Sequence, residues 1–273
     1  MRAALIQLCA SDDPAEGLEP LRDWIAEAAA EGADVVCTPE VTNALTTDAA
    51  RRQGVLRTEE EDQTLAMVRD EAARHGIWIA LGSLALKTDG PRLANRSFLI
   101  GPDGTIAARY DKLHMFDVNL GPTESFQESA AYRPGDRAVL ARTPLASFGL
   151  TVCYDVRFPH LYRDLAHAGA EVLLVPAAFS VVTGPAHWEV LLRARAIECG
   201  AFVLAAAQSG AHRTTKPRSS YGHSLAVDPW GRVIADAGTA TGVTMVDLDL
   251  GRVREARASV PSLGHDMPYE PPA

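Results

Sequence analysis

Phe148-Gly149-Leu150-Thr151-Val152-Cys153-Tyr154-Asp155-Val156-Arg157-Phe158-Pro159 decides how the rest of the chain is read. An apolar run of strand type ends in a cysteine. A polar, turn-forming segment follows at once, and then Leu161, Leu165 and Ala168 recur at helical spacing. A cysteine at a strand-to-helix turn has its sulfur held at the end of a sheet, as in a nucleophile elbow. The partly positive N–H groups that open a helix favour thiolate over thiol there. A buried, inert cysteine fits the same pattern, since free cysteine is among the most buried residue types. Chemistry elsewhere in the chain has to separate the two.

Outward from this stretch, apolar periodicity predicts helices over 16–31, 59–75, 160–169, 186–199 and 250–257. Short apolar runs predict strands near 2–9, 33–37, 77–86, 97–100, 106–110, 138–142, 147–152, 172–175, 202–206, 223–228, 232–235 and 243–248. Polar segments up to residue 57, over 111–137 and over 208–220 read as loops. Helices alternating with buried strands imply an α/β fold, with helices covering the sheets. Gly101-Pro102-Asp103-Gly104 between two strand-like runs is a hairpin signal, so the sheets are expected to be mixed. No repeat, linker or low-complexity segment divides residues 1–273, and a single domain is expected.

Composition narrows the function classes. The 273 residues are 47% hydrophobic and 22% charged, enough for a sizeable core. A net charge of -9, with no basic stripe, argues against a nucleic-acid partner. No apolar run approaches the roughly 18 residues of a membrane span. The N-terminal Met1–Gln7 reads as a first strand, not as a signal peptide. Cys9, Cys37, Cys153 and Cys199 are scattered, which suits a reducing, cytoplasmic setting better than a disulfide framework. No zinc-type Cys/His spacing appears.

Three further stretches carry chemistry. Thr38-Pro39-Glu40 follows a buried strand; a carboxylate beside a sheet end, its pKa raised by burial, makes a base. Tyr110-Asp111-Lys112-Leu113-His114-Met115-Phe116 sets a lysine among apolar neighbours, where it could lower a thiol pKa or hold an oxyanion. Glu124 and Glu128, in the same long loop, could each pair with Lys112. A surface lysine and solvent-facing acids remain the plainer readings of these residues. His114, His187 and His223 are the least casual histidines, and each reads best as structural. His212, Arg213, Lys216 and Arg218 form a basic cluster that could meet an anionic substrate or simply face water.

The glutamate, lysine and cysteine stretches, in that order, resemble the three motifs of the nitrilase (carbon-nitrogen hydrolase) superfamily over nearly the whole chain. That resemblance implies an α-β-β-α four-layer sandwich with mixed sheets. It also implies a Glu40-Lys112-Cys153 triad joined by Glu128, within Phe126-Gln127-Glu128-Ser129. Lys112 and the backbone N–H of Tyr154 would hold the oxyanion. No metal or cofactor is implied, and pairing into a homodimer or larger assembly is. Pro176-Ala177-Ala178-Phe179, the stretch Thr183–Glu198 and Tyr221-Gly222-His223-Ser224 resemble the Nit branch, within it most the deaminated glutathione amidases. The ω-amidases acting on 2-oxoglutaramate and 2-oxosuccinamate are near neighbours. The substrate expected is therefore a small carboxylate-bearing amide, with carbamoyl and nitrile hydrolysis as alternatives. A binding protein with a dead site is the non-enzymatic alternative. Arg157 is the candidate partner for a substrate carboxylate, and Phe179 and Thr183 are candidate pocket residues. The stretch from Gln208 to Ser220 departs from the family pattern.

Overall fold

The computed structural model describes residues 1–121, 125–214, 218–270 and 272. In chain order the first strands are β1 (Arg2–Gln7), β2 (Val35–Cys37), β3 (Trp78–Leu86), β4 (Ala94–Ile100) and β5 (Ile106–Asp111). Next come β6 (Asp117–Asn119), β7 (Ser125–Gln127), β8 (Val139–Arg142), β9 (Ser147–Leu150), β10 (Val172–Leu174) and β11 (Phe202–Ala205). The last are β12 (Ser209–His212), β13 (Arg218–Tyr221), β14 (Leu225–Val227), β15 (Val233–Asp236) and β16 (Gly242–Asp247). The helices are α1 (Pro14–Ala30), α2 (Ala49–Val55), α3 (Gln63–His75), α4 (Pro159–His167), α5 (Gly184–Cys199) and α6 (Gly251–Ser259).

Two six-stranded sheets run β16-β1-β2-β3-β4-β5 and β15-β14-β11-β10-β9-β8. Each has a parallel centre, β1-β2-β3 and β9-β10-β11, flanked by antiparallel strands. The first strand shows why the layers stack. Ala3 to Gln7 are all buried, and alternate side chains go to opposite faces. Ala4 and Ile6 join Leu21, Ile25 and Ala28 of α1 and Leu65, Val68 and Ala72 of α3 in one core. Ala3 and Leu5 join Phe148, Leu150, Phe202 and Leu204 of the other sheet, in a core that continues to Leu161 of α4 and Trp188 of α5. The result is α-β-β-α. Each fully buried Leu, Ile or Phe contributes about 1.5–3 kcal/mol. Among the described residues no helix is long and apolar enough to cross a membrane.

Caps place the helix ends. Asp62 accepts from the Leu65 N–H at 2.9 Å, which starts α3 at Gln63 and not at 59. Gly76 closes it in the left-handed region at φ 65°. Three loop expectations are corrected. The polar stretch before residue 57 contains α2, capped by Asp48, which presents no buried residue and hence no apolar period. Within 111–137, β6 and β7 pair as a hairpin. Within 208–220, β12 and β13 pair antiparallel from Ser209–Tyr221 to His212–Arg218.

The alternation of strand direction sets the site. β2 and β3 are parallel, and β5 returns to their direction after the antiparallel β4. The carboxyl ends of β2 and β5 therefore lie at one edge, the edge where α/β sheets carry their sites.

Candidate active site

Glu40 follows β2 by three residues, and the peptide that joins it to Val41 is tied through both its carbonyl and its N–H. Its carbonyl accepts from Gln208 Nε2 at 2.9 Å, and the Val41 N–H donates to Ser83 Oγ at 2.9 Å. Val41 has φ 47°, an outlying conformation for a β-branched residue and the kind of strain held at functional sites. Gly82 explains how the turn fits: a Cβ there would lie 2.0 Å from the Thr38 carbonyl oxygen and 2.3 Å from that of Pro39.

Lys112 leaves β5 directly, pinned by its N–H to the Asn95 carbonyl at 2.9 Å. Its side chain is 2% exposed, and its ammonium donates to Glu40 Oε1 at 2.9 Å and to Glu128 Oε1 and Oε2 at 3.0 and 2.8 Å. Glu128 Oε2 also accepts the Phe116 N–H at 2.6 Å. Asn95, on β4, joins the two acids: its Nδ2 donates to Glu40 Oε1 at 2.9 Å and to Glu128 Oε1 at 3.3 Å. Glu124 lies outside the described residues.

Cys153 sits at φ 49° at the head of a tight 3-10 turn, Cys153–Arg157, beyond β9. Its N–H donates to the Pro176 carbonyl at 2.9 Å. Its thiol is hydrogen-bonded to Glu40, and the Ala178 N–H reaches both the sulfur and Glu40 Oε2, the latter at 2.9 Å. Asp155, fully buried, locks this turn to the lysine segment. One oxygen accepts from Tyr110 Oη at 2.7 Å and from the Val152 N–H at 2.8 Å; the other accepts from the His114 N–H at 3.1 Å and meets His114 Nδ1 at 2.7 Å. The structural reading of His114 thereby holds.

The ionisation differs from two sequence expectations. Burial pushes the Cys153 thiol well above its ordinary value, and the Glu40 carboxylate adds to this; Lys112 opposes and does not win. The thiolate expected from a helix N-terminus does not arise, because α4 begins only at Pro159, beyond the tight turn. Burial also acts to raise Glu40, but the Lys112 ammonium and hydrogen bonds from Lys112, Cys153 and Asn95 hold it below the ordinary carboxylate range. Burial works against the charge on Lys112, yet Glu128 and Glu40 keep it raised well above the ordinary lysine value. The resting site is a thiol beside a carboxylate and an ammonium, a base-activated nucleophile and not a preformed thiolate.

These groups open on one cavity of about 860 Å³. Glu40, Asn95, Lys112, Glu128, Cys153 and Tyr154 line it together with Phe179 and Thr183. The Thr183 hydroxyl is buried and, among the described residues, has no hydrogen-bond partner. Arg157 is not a lining residue. Its guanidinium packs 5.5 Å from the Phe179 ring centre and 5.9 Å from that of Tyr154, and its Nη2 meets His187 Nδ1 at 3.1 Å. His223 meets Asp236 instead, at 3.0 Å.

The basic cluster disperses. His212 is buried between the Ala10 carbonyl and Ser220 Oγ, and burial pushes it down to about 4. Arg213 pairs with Glu16, Lys216 lies outside the described residues, and Arg218 lines the cavity. Sequence reasoning missed the bridging role of Asn95, the lock at Asp155 and a second cavity arginine, Arg52.

Comparison with known proteins agrees with this geometry. The carbon-nitrogen hydrolase family model matches residues 2–258. The chain is 40% identical over 267 residues to a deaminated glutathione amidase of Yersinia enterocolitica, covering 96% of this chain and 92% of that one. It is 36% identical over 266 residues to the human omega-amidase NIT2, covering 95% and 92%. The NitFhit protein of C. elegans superposes with a TM-score of 0.89 at 33% identity over 97% of this chain, which spans 64% of that longer protein. A buried acid, lysine and cysteine delivered by strand ends to one cavity, together with a match across nearly the whole sequence, make this chain a member of the carbon-nitrogen hydrolase family.

Proposed function

We propose that the protein is a cysteine-dependent amidase that hydrolyses deaminated glutathione, in which the amino group of glutathione has become a keto group, through a thioester acyl-enzyme. The observation that carries this is the Glu40-Lys112-Glu128 cluster at the Cys153 thiol on the floor of one roomy cavity. Its volume lies in the range of sites that enclose a sizeable metabolite. Relatives named for this activity support the substrate.

In this mechanism Glu40 takes the thiol proton as the sulfur attacks the amide carbon. The oxyanion is held by Lys112 and the Tyr154 N–H, each donor being worth about 3 kcal/mol. Glu40 passes the proton to the leaving amine, and the thioester remains. Water, deprotonated by Glu40, then attacks the thioester; the C–S bond breaks, the acid is released, and Glu40 returns the proton to the Cys153 sulfur. Glu128 and Asn95 hold Lys112 and Glu40 in register throughout. Thr183, whose buried hydroxyl has no partner among the described residues, serves the carboxylate of the 2-oxo acid, and Arg157, packed on the Phe179 and Tyr154 rings of the cavity lining, lends that carboxylate positive charge without lining the cavity itself.

The second reading, an ω-amidase on 2-oxoglutaramate, is favoured by the human relative. Hydrolysis of both compounds, measured side by side, decides. A higher kcat/KM for deaminated glutathione is expected, and a higher value for 2-oxoglutaramate would assign the ω-amidase reaction.

The same reading takes residues 1–273 as one hydrolase domain and places it in the cytoplasm, where its four free cysteines would stay reduced. It also pairs two copies through the outer face of α5, where Val190 and Ile197 are 64% and 56% exposed beside Trp230.

A further inference from the structure

Two arginines of the cavity wall have no part in the mechanism above. Arg52 lies on α2, and Arg218 opens β13; both line the cavity that holds Cys153. Arg52 gives one N–H to the Thr46 carbonyl at 3.2 Å, and Arg218 lies over the Phe126 ring at 5.6 Å. Among the described residues neither forms an ion pair, whereas Lys112 is held by two carboxylates. Both arginines act on one point: burial and Glu128 raise the Tyr132 hydroxyl to about 12, and Arg52 and Arg218 pull against that rise. The Thr47 hydroxyl on the same wall is buried and, among the described residues, unpartnered. The β12–β13 hairpin that carries Arg218 is docked on the site, since the Tyr221 N–H donates to the Phe179 carbonyl at 2.9 Å and Ser220 bridges Ser180.

Two guanidinium groups and a free hydroxyl on a cavity wall are the chemistry that takes a carboxylate. The acyl half of the proposed substrate already has Thr183, with the charge of Arg157 beyond Phe179. The amine half, a cysteinylglycine dipeptide, ends in a second carboxylate. We propose that Arg52 and Arg218, with Thr47, form an anion subsite for the carboxylate of the leaving amine. This rests on the amidase reading and extends it: the subsite selects amides whose leaving amine carries a carboxylate over simple amides, whose leaving group is ammonia.

The test compares deaminated glutathione with its C-terminal carboxamide. The wild-type protein should favour the free carboxylate by about tenfold or more in kcat/KM, the scale of a charge-assisted contact. Arg52→Gln and Arg218→Gln should each collapse that preference toward unity through KM, and the Lys variants should restore part of it. Circular dichroism and thermal melts report whether each variant is folded. In a second arm, cysteinylglycine and its amide are titrated into Cys153→Ala protein by calorimetry, with and without each arginine variant. This arm reads the subsite without turnover and through Arg52 and Arg218 directly. If wild-type protein hydrolyses neither glutathione-derived amide, the substrate reading fails while the dipeptide titration still judges the subsite. No preference for the carboxylate in either arm, or a preference that survives both arginine substitutions, overturns the subsite.

Discussion

The Lys112 ammonium is buried between two carboxylates; it keeps Glu40 below the ordinary carboxylate range, while burial and Glu40 raise the Cys153 thiol. Glu40 is held deprotonated, as a base must be, and Cys153 is held protonated, as a thiol awaiting that base must be. Both states persist through neutrality. A site that depended on free thiolate would instead gain rate with pH up to the thiol pKa. We therefore expect kcat/KM to be flat between about pH 6 and 8, where a free-thiolate mechanism would rise about tenfold per unit. Asp155 offers a second test at this scale. It accepts four hydrogen bonds that tie the nucleophile turn to the lysine segment. Asp155→Asn cannot accept them all, and we expect a loss of about 3 kcal/mol in urea unfolding, since bonds to a charged group carry about 1.5–3 kcal/mol each. A loss under about 0.5 kcal/mol, the range of neutral surface changes, would show that the lock does not hold the turn.

Among the elements, the strand ends were legible and the contacts between them were not. Glu40, Lys112 and Cys153 each follow an apolar run, so their placement at a sheet edge could be read from the sequence. Asn95 meets Glu40 across 55 residues, and Asp155 meets Tyr110 across 45. Such contacts depend on sheet order, which periodicity does not contain. α2 was invisible because it buries no residue, although Asp48 is a recognisable cap and the helix delivers Arg52. Arg213 left the apparent basic cluster because Glu16, far away in sequence, neutralises it. Gly82 gave no signal as a glycine within a strand, yet it lets the Thr38–Pro39 backbone pass. Gly82→Ala should displace the turn that carries Glu40. We expect a cost of about 1–3 kcal/mol, the usual range for overpacking, and a fall in kcat larger than any change in KM. Thermal melts and steady-state kinetics check both, and wild-type values for the variant would mean that the turn tolerates displacement.

For the whole molecule, two sheets back to back leave α5 with one face in the core and one outside. Trp188, Leu192 and Ala196 point inward, whereas Val190 and Ile197 remain exposed. Paired copies would cover that outer face. Ile197→Asp should then shift the protein toward monomer by light scattering, and a wild-type protein already monomeric at high concentration would rule this interface out. The proposed hydrolysis rests on a single sulfur, that of Cys153. Its most direct test is release of cysteinylglycine from deaminated glutathione by wild-type and Cys153→Ala proteins, both verified as folded. Turnover by the wild type is expected, with a loss of at least about a thousandfold in Cys153→Ala, the scale seen when a nucleophile is removed. A Cys153→Ala protein that kept a tenth of wild-type activity would contradict it.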